Sequence, residues 1–234
     1  MRKLEINNKT YLLPGKWNEL SKDDLLKFCK INLMQIDERI MRFVMLKYFT
    51  GLKWNTILTI PAKCLPDVLG IFDYLFDQSQ LTINVVGDLF GMKSPEPALQ
   101  DFTFEQFLGQ AEPYAYSIAM GKWNDIDQLL NTLYNYNGPE KNSEKLKKLK
   151  EHEKLSIYYF YMGCSNFIKR KFPLVFSGSS DKKTKPDGLE FTRLVNSLNL
   201  GDVSRNNQIK GNNLYESLQF LTTLIEKHQQ NGLK

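Results

Sequence analysis

Apolar residues recur at helical spacing in one segment of this chain after another, and helix-starting or helix-ending residues bound these segments. Ser21 is a good N-cap, and Asp24 stands at the position that completes a capping box. Behind them, Leu25, Cys29 and Leu33 fall on one face of a helix. Repetition of this arrangement along the chain predicts a mainly α fold.

The same pattern of capping residues and apolar spacing predicts the other helices. Thr103 begins one with Gln106 in the capping-box position, Asn124 caps the next, and Gly51 and Gly121 fit helix ends. Together with the helix after Ser21, the predicted helices cover residues 37–49, 67–76, 103–120, 124–136, 143–171, 189–198 and 214–229. Residues 52–60 fit a short strand or a loop, and a strand at 156–162 is the alternative to the middle of the long helix.

The first thirteen residues predict a small β-hairpin over about residues 3–13. Residues 3–6 alternate polar and apolar side chains, Asn7 and Asn8 suit a tight turn, and Pro14 ends the second strand. A lone hairpin is marginally stable in water, so it packs on the helices or pairs with another chain.

The domain organisation follows from one polar stretch. Residues 177–188 are rich in Ser, Gly and Lys and offer nothing to bury, which is typical of a flexible linker. We therefore predict a multi-helix domain with the hairpin at 1–176, a linker at 177–188 and a C-terminal helical segment at 189–234.

The apolar runs and the cysteine positions limit the classes of protein to which this chain can belong. The longest uninterrupted apolar run is residues 157–162, far below the roughly 20 residues of a membrane helix. The charged residues at the start are not followed by an apolar stretch, so we expect that they are not a signal peptide. Cys29, Cys64 and Cys164 are far apart and form no CxxC pair, so we expect small buried thiols in a reducing compartment. The protein is expected to be a soluble cytoplasmic one with no membrane partner.

The residues that could take part in catalysis have structural explanations. His152 lies in a charged run and His228 near the end of the last helix, and the acidic pairs fall in helix first turns. No HExxH, P-loop or dinucleotide-binding glycine motif occurs. We therefore expect a non-enzymatic protein with no catalytic residues, no metal site and no cofactor.

Charge suggests one binding activity. Residues 1–117 carry 13 Lys and Arg against 14 Asp and Glu, whereas residues 118–234 carry 18 against 12. Two basic clusters in the second half could contact nucleic acid or an acidic partner weakly and in a salt-dependent way. They are Lys169, Arg170, Lys171, Lys182, Lys183 and Lys185. Tyr158, Tyr159 and Tyr161 could stack on bases or belong to the core.

Three stretches together resemble a set of poorly characterised bacteriophage and prophage proteins. They are the opening through residues 13–21, the central residues 159–163 with the exit at 172–176, and residues 212–215 before the last helix. The resemblance implies a virion structural or assembly protein, either a head–tail connector or a tail-assembly component. It supplies no catalytic residues.

The function expected from the sequence is therefore virion assembly through protein–protein contacts. The expected partners are other virion or assembly proteins and further copies of the chain, in the cytoplasm of the bacterial host and then in the virion. The alternative is a nucleic-acid-binding accessory protein that uses the basic residues.

Overall fold

A computed structural model describes residues 1–83, 92–134, 143–176, 190–200 and 202–232, and these are mainly helical. The strands are β1 Arg2–Ile6 and β2 Lys9–Leu13. The α-helices are α1 Lys22–Asn32, α2 Glu38–Thr50, α3 Trp54–Leu58, α4 Leu65–Gly70, α5 Glu112–Ala119, α6 Ile126–Tyr134, α7 Ser143–Leu146, α8 Glu151–Lys171, α9 Pro173–Phe176, α10 Glu190–Asn199, α11 Asn206–Gly211 and α12 Leu214–Gly232. Short 3-10 turns connect several of them, and within the described residues no helix is both long and apolar enough to cross a membrane.

The predicted hairpin is confirmed. β1 and β2 pair antiparallel, with Ile6 opposite Lys9 and Arg2 opposite Leu13. Asn7 and Asn8 both have positive φ, at 51° and 61°, which matches the twist that a two-residue turn needs. One face of the hairpin is buried through Leu4, Ile6 and Leu13, whereas the side chains on its other face are exposed.

The chain forms two compact units. Unit 1 comprises Met1–Gly87 and Leu149–Gly163, and unit 2 comprises Asp88–Lys148 and Cys164–Lys234. Both units are discontinuous in sequence, and α8 contributes residues to each of them. The predicted boundaries at 176 and 189 depend on the linker at 177–188, which lies outside the described residues, so that division stays a prediction.

The core of unit 1 is built around a buried aromatic cluster. The ring of Trp17 lies 5.5 Å from that of Phe28 and 5.4 Å from that of Tyr159. Tyr74 meets Trp17 edge-on at 6.1 Å, and Asn32 donates a hydrogen bond of 3.0 Å to the Tyr159 hydroxyl. Edge-to-face and tilted ring pairs add to the stabilisation from burial, so this cluster anchors the hairpin side of the unit.

Two helix starts in the chain have the predicted capping boxes. Ser21 accepts a hydrogen bond from the Asp24 amide, and the Asp24 carboxylate accepts one from the Ser21 amide. Thr103 and Gln106 exchange the equivalent pair of bonds at 3.2 and 2.9 Å. Gly51 ends α2 in the left-handed conformation, as predicted.

The core of unit 2 contains Phe102, Phe104 and Phe107, all fully buried. The helix predicted at 103–120 begins there with a π-helical stretch, Glu105–Ala111, before α5. Pro113 explains the change of pairing, because it has no N–H to donate to the carbonyl four residues earlier. The start of α12 is joined to this region, since the Leu214 amide donates to the Phe102 carbonyl at 3.0 Å.

The prediction of a strand or loop at 52–60 was wrong, because this segment contains the short helix α3. The amides of Thr56 and Ile57 both donate to the Lys53 carbonyl, which closes a single turn. Ile57 is buried, so tertiary packing stabilises a helix too short to show a hydrophobic period.

The single helix predicted at 143–171 is divided into α7 and α8, with a break at 147–150. A new helix start causes the break: the Glu153 carboxylate accepts a hydrogen bond of 2.7 Å from the Lys150 amide. The alternative strand at 156–162 is excluded, since these residues lie within α8.

The remaining helix predictions differ in small respects. Asn124 lies inside a 3-10 turn, Trp123–Asp125, so it is not the N-cap that the sequence predicted. Asp125 accepts a hydrogen bond from the Ser117 hydroxyl, and α6 begins at the next residue. The predicted C-terminal helices correspond to α10 and α12, with α11 between them.

Candidate functional site

The first predicted basic cluster lies at the end of α8, and its lysines are engaged within unit 2. The Lys169 ammonium lies 2.6 Å from one carboxylate oxygen of Glu112, and the Ser165 hydroxyl donates to the other at 2.6 Å. Ser165 is fully buried and Lys169 is partly exposed, so this network joins α8 to α5 from the interior to the surface of unit 2. Lys169 therefore contributes to the fold, and binding a phosphate would require it to give up Glu112.

Lys171 and Arg170 differ in their surroundings. The Lys171 ammonium lies 4.7 Å from the ring centroid of Tyr215 and 5.8 Å from that of Phe172, within the range of a cation–π contact. The Tyr215 hydroxyl donates to the Ala98 carbonyl at 2.8 Å, and burial raises the pKa of Tyr215 to about 12. Arg170 is exposed.

The second predicted basic cluster falls on residues that the structure does not describe. Lys182, Lys183 and Lys185 lie outside the described residues. The role of these lysines in nucleic-acid binding therefore stays a prediction.

The tyrosines that might have stacked on bases belong to the core. Tyr158, Tyr159 and Tyr161 are all buried in unit 1, and Tyr159 packs against Trp17 and Phe28. Burial raises the pKa of Tyr159 well above its ordinary value, because the phenolate would have to leave water. These rings have no free face to offer a nucleic acid.

The nucleophilic side chains have structural surroundings. Cys29 and Cys164 are buried, and the loss of solvation raises the pKa of Cys29 strongly and that of Cys164 to about 12. Both thiols stay protonated at neutral pH, so they are poor nucleophiles. Cys64 is half-buried, His152 is half-buried in the first turn of α8, and His228 is exposed on α12.

A groove that the sequence did not predict runs beside α12 in unit 2. Phe220 and Glu216 separate it into two parts, and we call the whole the C-terminal groove. The wider part has a volume of about 560 Å³ and is lined by Lys171, Phe172, Tyr215, Glu216, Gln219, Phe220 and Thr223. The narrower part has a volume of about 270 Å³ and is lined by Leu198, Leu200, Arg205, Ile209, Asn212, Glu216, Ser217 and Phe220.

Ser217 is a buried polar residue in the wall of the narrower part. Its side chain is 4% exposed, and its hydroxyl has no hydrogen-bond partner in the described part of the chain. Thr222 and Thr223 in the same helix each donate to the carbonyl four residues earlier. A buried hydroxyl without a hydrogen-bond partner costs free energy.

The sequence carried a signal for this groove. Leu214, Leu218 and Leu221 form the buried stripe of α12, and Phe220 falls outside it. A large aromatic residue off the apolar stripe of an amphipathic helix indicates an exposed contact surface. What the sequence could not indicate was the depression beside Phe220, because α10 and α11 supply its other walls.

No group of three or more His, Cys, Asp or Glu in the described ranges is arranged to hold a metal ion. No protein-family model, curated protein or solved structure matches the chain.

Proposed function

We propose that this chain is a non-enzymatic structural or assembly protein that binds other proteins through the open edge of its N-terminal hairpin. More specifically, we propose the role that the sequence resemblance implies, which is a head–tail connector or a tail-assembly component of a phage virion. The observation that carries it is the exposed outer edge of β2 at Thr10 and Leu12, which are both uncharged.

The hydrogen-bonding pattern of the hairpin explains why this edge can accept a partner. In a two-residue hairpin, the pair beside the turn exchanges both hydrogen bonds, and the following pairs alternate. Since Ile6 and Lys9 are that first pair, Thr10 and Leu12 direct their backbone N–H and C=O groups away from β1. Both residues are exposed, so a partner strand can reach these groups.

The two edges of the hairpin differ in charge. On β1, the residues with outward backbone groups are Lys3 and Glu5, and charged side chains deter pairing with another strand. On β2 the corresponding residues are Thr10 and Leu12, and Leu12 exposes 59% of its surface. A strand of a partner protein would gain backbone hydrogen bonds at β2 and cover the Leu12 side chain.

The test compares two substitutions at one position. Leu12→Pro removes the outward N–H without breaking a bond to β1, and Leu12→Thr keeps the N–H while removing the leucine side chain. The partners to test are the purified products of the neighbouring genes, where we expect portal, capsid or tape-measure proteins. Binding is measured by calorimetry.

We expect Leu12→Pro to weaken binding by about tenfold or more, and Leu12→Thr to stay within about threefold of the wild type. Thermal unfolding checks that each variant is folded. If none of these proteins binds, or if Leu12→Pro binds as tightly as the wild type, the proposal is wrong.

A further inference from the structure

The narrower part of the C-terminal groove has exposed apolar side chains in and near its wall. Leu200, which lines this part together with Leu198 and Ile209, is 71% exposed, and Val203, two residues before the lining residue Arg205, is 72% exposed. Phe220, in the groove wall, is 48% exposed. One face of unit 2 thus presents both an apolar depression and apolar side chains that could fill such a depression.

The groove also carries one charge of each sign. Arg205 and Glu216 both line it and both are exposed. Neither forms an ion pair within the described residues, although Arg205 lies near Asp202, a carboxyl whose pKa is lowered first by hydrogen bonds from Ser204 and to a smaller extent by Arg205. A second copy of the same surface carries the charge opposite to each of these two residues.

We propose that this groove is a self-association site, where a second copy of the chain docks through a twofold axis. Under twofold symmetry, each contact between two different residues occurs twice. Phe220 and Leu200 of one copy fill the groove of the other, and Arg205 of each copy pairs with Glu216 of its partner. This inference does not use the hairpin and is independent of the proposed function.

Two physical arguments favour a second copy as the occupant. A foreign partner would have to supply both charges and apolar side chains in matching positions, whereas a second copy supplies them by symmetry. Aromatic residues beside a pocket also tend to dominate the affinity of protein interfaces, and Phe220 has this position.

The first measurement is sedimentation velocity of the full chain over a range of concentrations. We expect a monomer–dimer equilibrium with a micromolar Kd, and Phe220→Asp should raise that Kd by about tenfold or more. Tyr116→Asp is the matched control, because Tyr116 is an aromatic of the same exposure, 48%, in unit 2 and does not line the groove. Circular dichroism and thermal unfolding confirm that both variants fold.

The second measurement tests whether the charges pair between copies. Arg205→Glu and Glu216→Arg should each weaken the dimer, because each places like charges opposite one another. Mixing the two single variants should restore association, since both contacts then join opposite charges. An ion pair within one chain could not be restored by mixing.

A chain that stays monomeric throughout would overturn this inference. So would a dimer that is insensitive to Phe220→Asp, or single charge variants that fail to associate on mixing. Leu12→Pro serves as a cross-check: it should leave self-association unchanged, so loss of the hairpin interaction and loss of the dimer are distinguishable.

Discussion

At the scale of single residues, Gly163 in α8 shows how one position depends on the close approach of distant backbone. A Cβ added to Gly163 would lie 2.6 Å from the carbonyl carbon of Thr82 and closer still to its oxygen. Both residues belong to unit 1, and backbone atoms cannot move aside as a flexible side chain can. Gly163 therefore permits contact between α8 and the chain near Thr82.

We expect Gly163→Ala to lower the free energy of unfolding by about 1–3 kcal/mol, because the added methyl group overpacks a site already in contact. Chemical denaturation measures this change. Gly211→Ala is the matched control: nothing lies within 4 Å of its added Cβ, so we expect no loss of stability. Equal losses for the two variants would contradict the steric explanation.

The residue roles that could be predicted from the sequence are those that involve near neighbours in the chain. Asn7 and Asn8 in the turn, Ser21 at its cap and Gly51 at the end of α2 act on their immediate neighbours, and the structure confirms each of them. The ion pair between Lys169 and Glu112 was not predictable, because tertiary packing brings those two residues together. Because the sequence does not show this pairing, Lys169 was expected to be available to bind a phosphate group.

At the scale of elements, the start of α1 depends on a capping box that is largely exposed. The Ser21 hydroxyl accepts from the Asp24 amide at 3.1 Å, and the Asp24 carboxylate accepts from the Ser21 amide at 3.2 Å. Each bond satisfies an amide that the helix itself cannot pair.

We expect Ser21→Ala to lower the free energy of unfolding by about 1 kcal/mol, since one amide at the helix start loses its acceptor. Ser21→Thr, which keeps a hydroxyl acceptor at the cap, should lose less, and the comparison is made by chemical denaturation. A loss just as large with Ser21→Thr would show that the hydroxyl acts in some way other than capping.

Element prediction succeeded where a segment was long and had clear ends, as with α1 and α2. It failed for α3, where a single turn is too short for a period to appear, and at 147–150, where charged residues fit a helix interior as well as a break. The C-terminal groove was missed for a related reason. Its walls come from α10, α11, α12 and the end of α8, so no single segment of the sequence describes it.

At the scale of the whole molecule, the excess of positive charge lies in the second half of the chain, where Lys182, Lys183 and Lys185 are clustered. The nucleic-acid alternative depends on these lysines, because Lys169 pairs with Glu112 and Lys171 lies over Tyr215. If this alternative is right, binding to single-stranded DNA is weak and falls steeply with salt.

Replacing Lys182, Lys183 and Lys185 by Gln should then reduce the slope of log affinity against log salt by about 2, as expected for three lost phosphate contacts on a single strand. Gel-shift titrations at several salt concentrations measure this slope. Replacing Lys145, Lys147 and Lys148 by Gln changes the net charge equally and is the control. Undetectable binding of the wild type at low salt would remove the alternative.

The discontinuity of unit 1 has a consequence for synthesis on the ribosome. Domains ordinarily fold as units, with the N-terminal one first, as the nascent chain emerges. Here the Tyr159 ring, which packs against Trp17 and Phe28, is translated only after the whole of segment 88–148 has been made. The aromatic cluster of the first 87 residues therefore stays incomplete while a large part of unit 2 is translated.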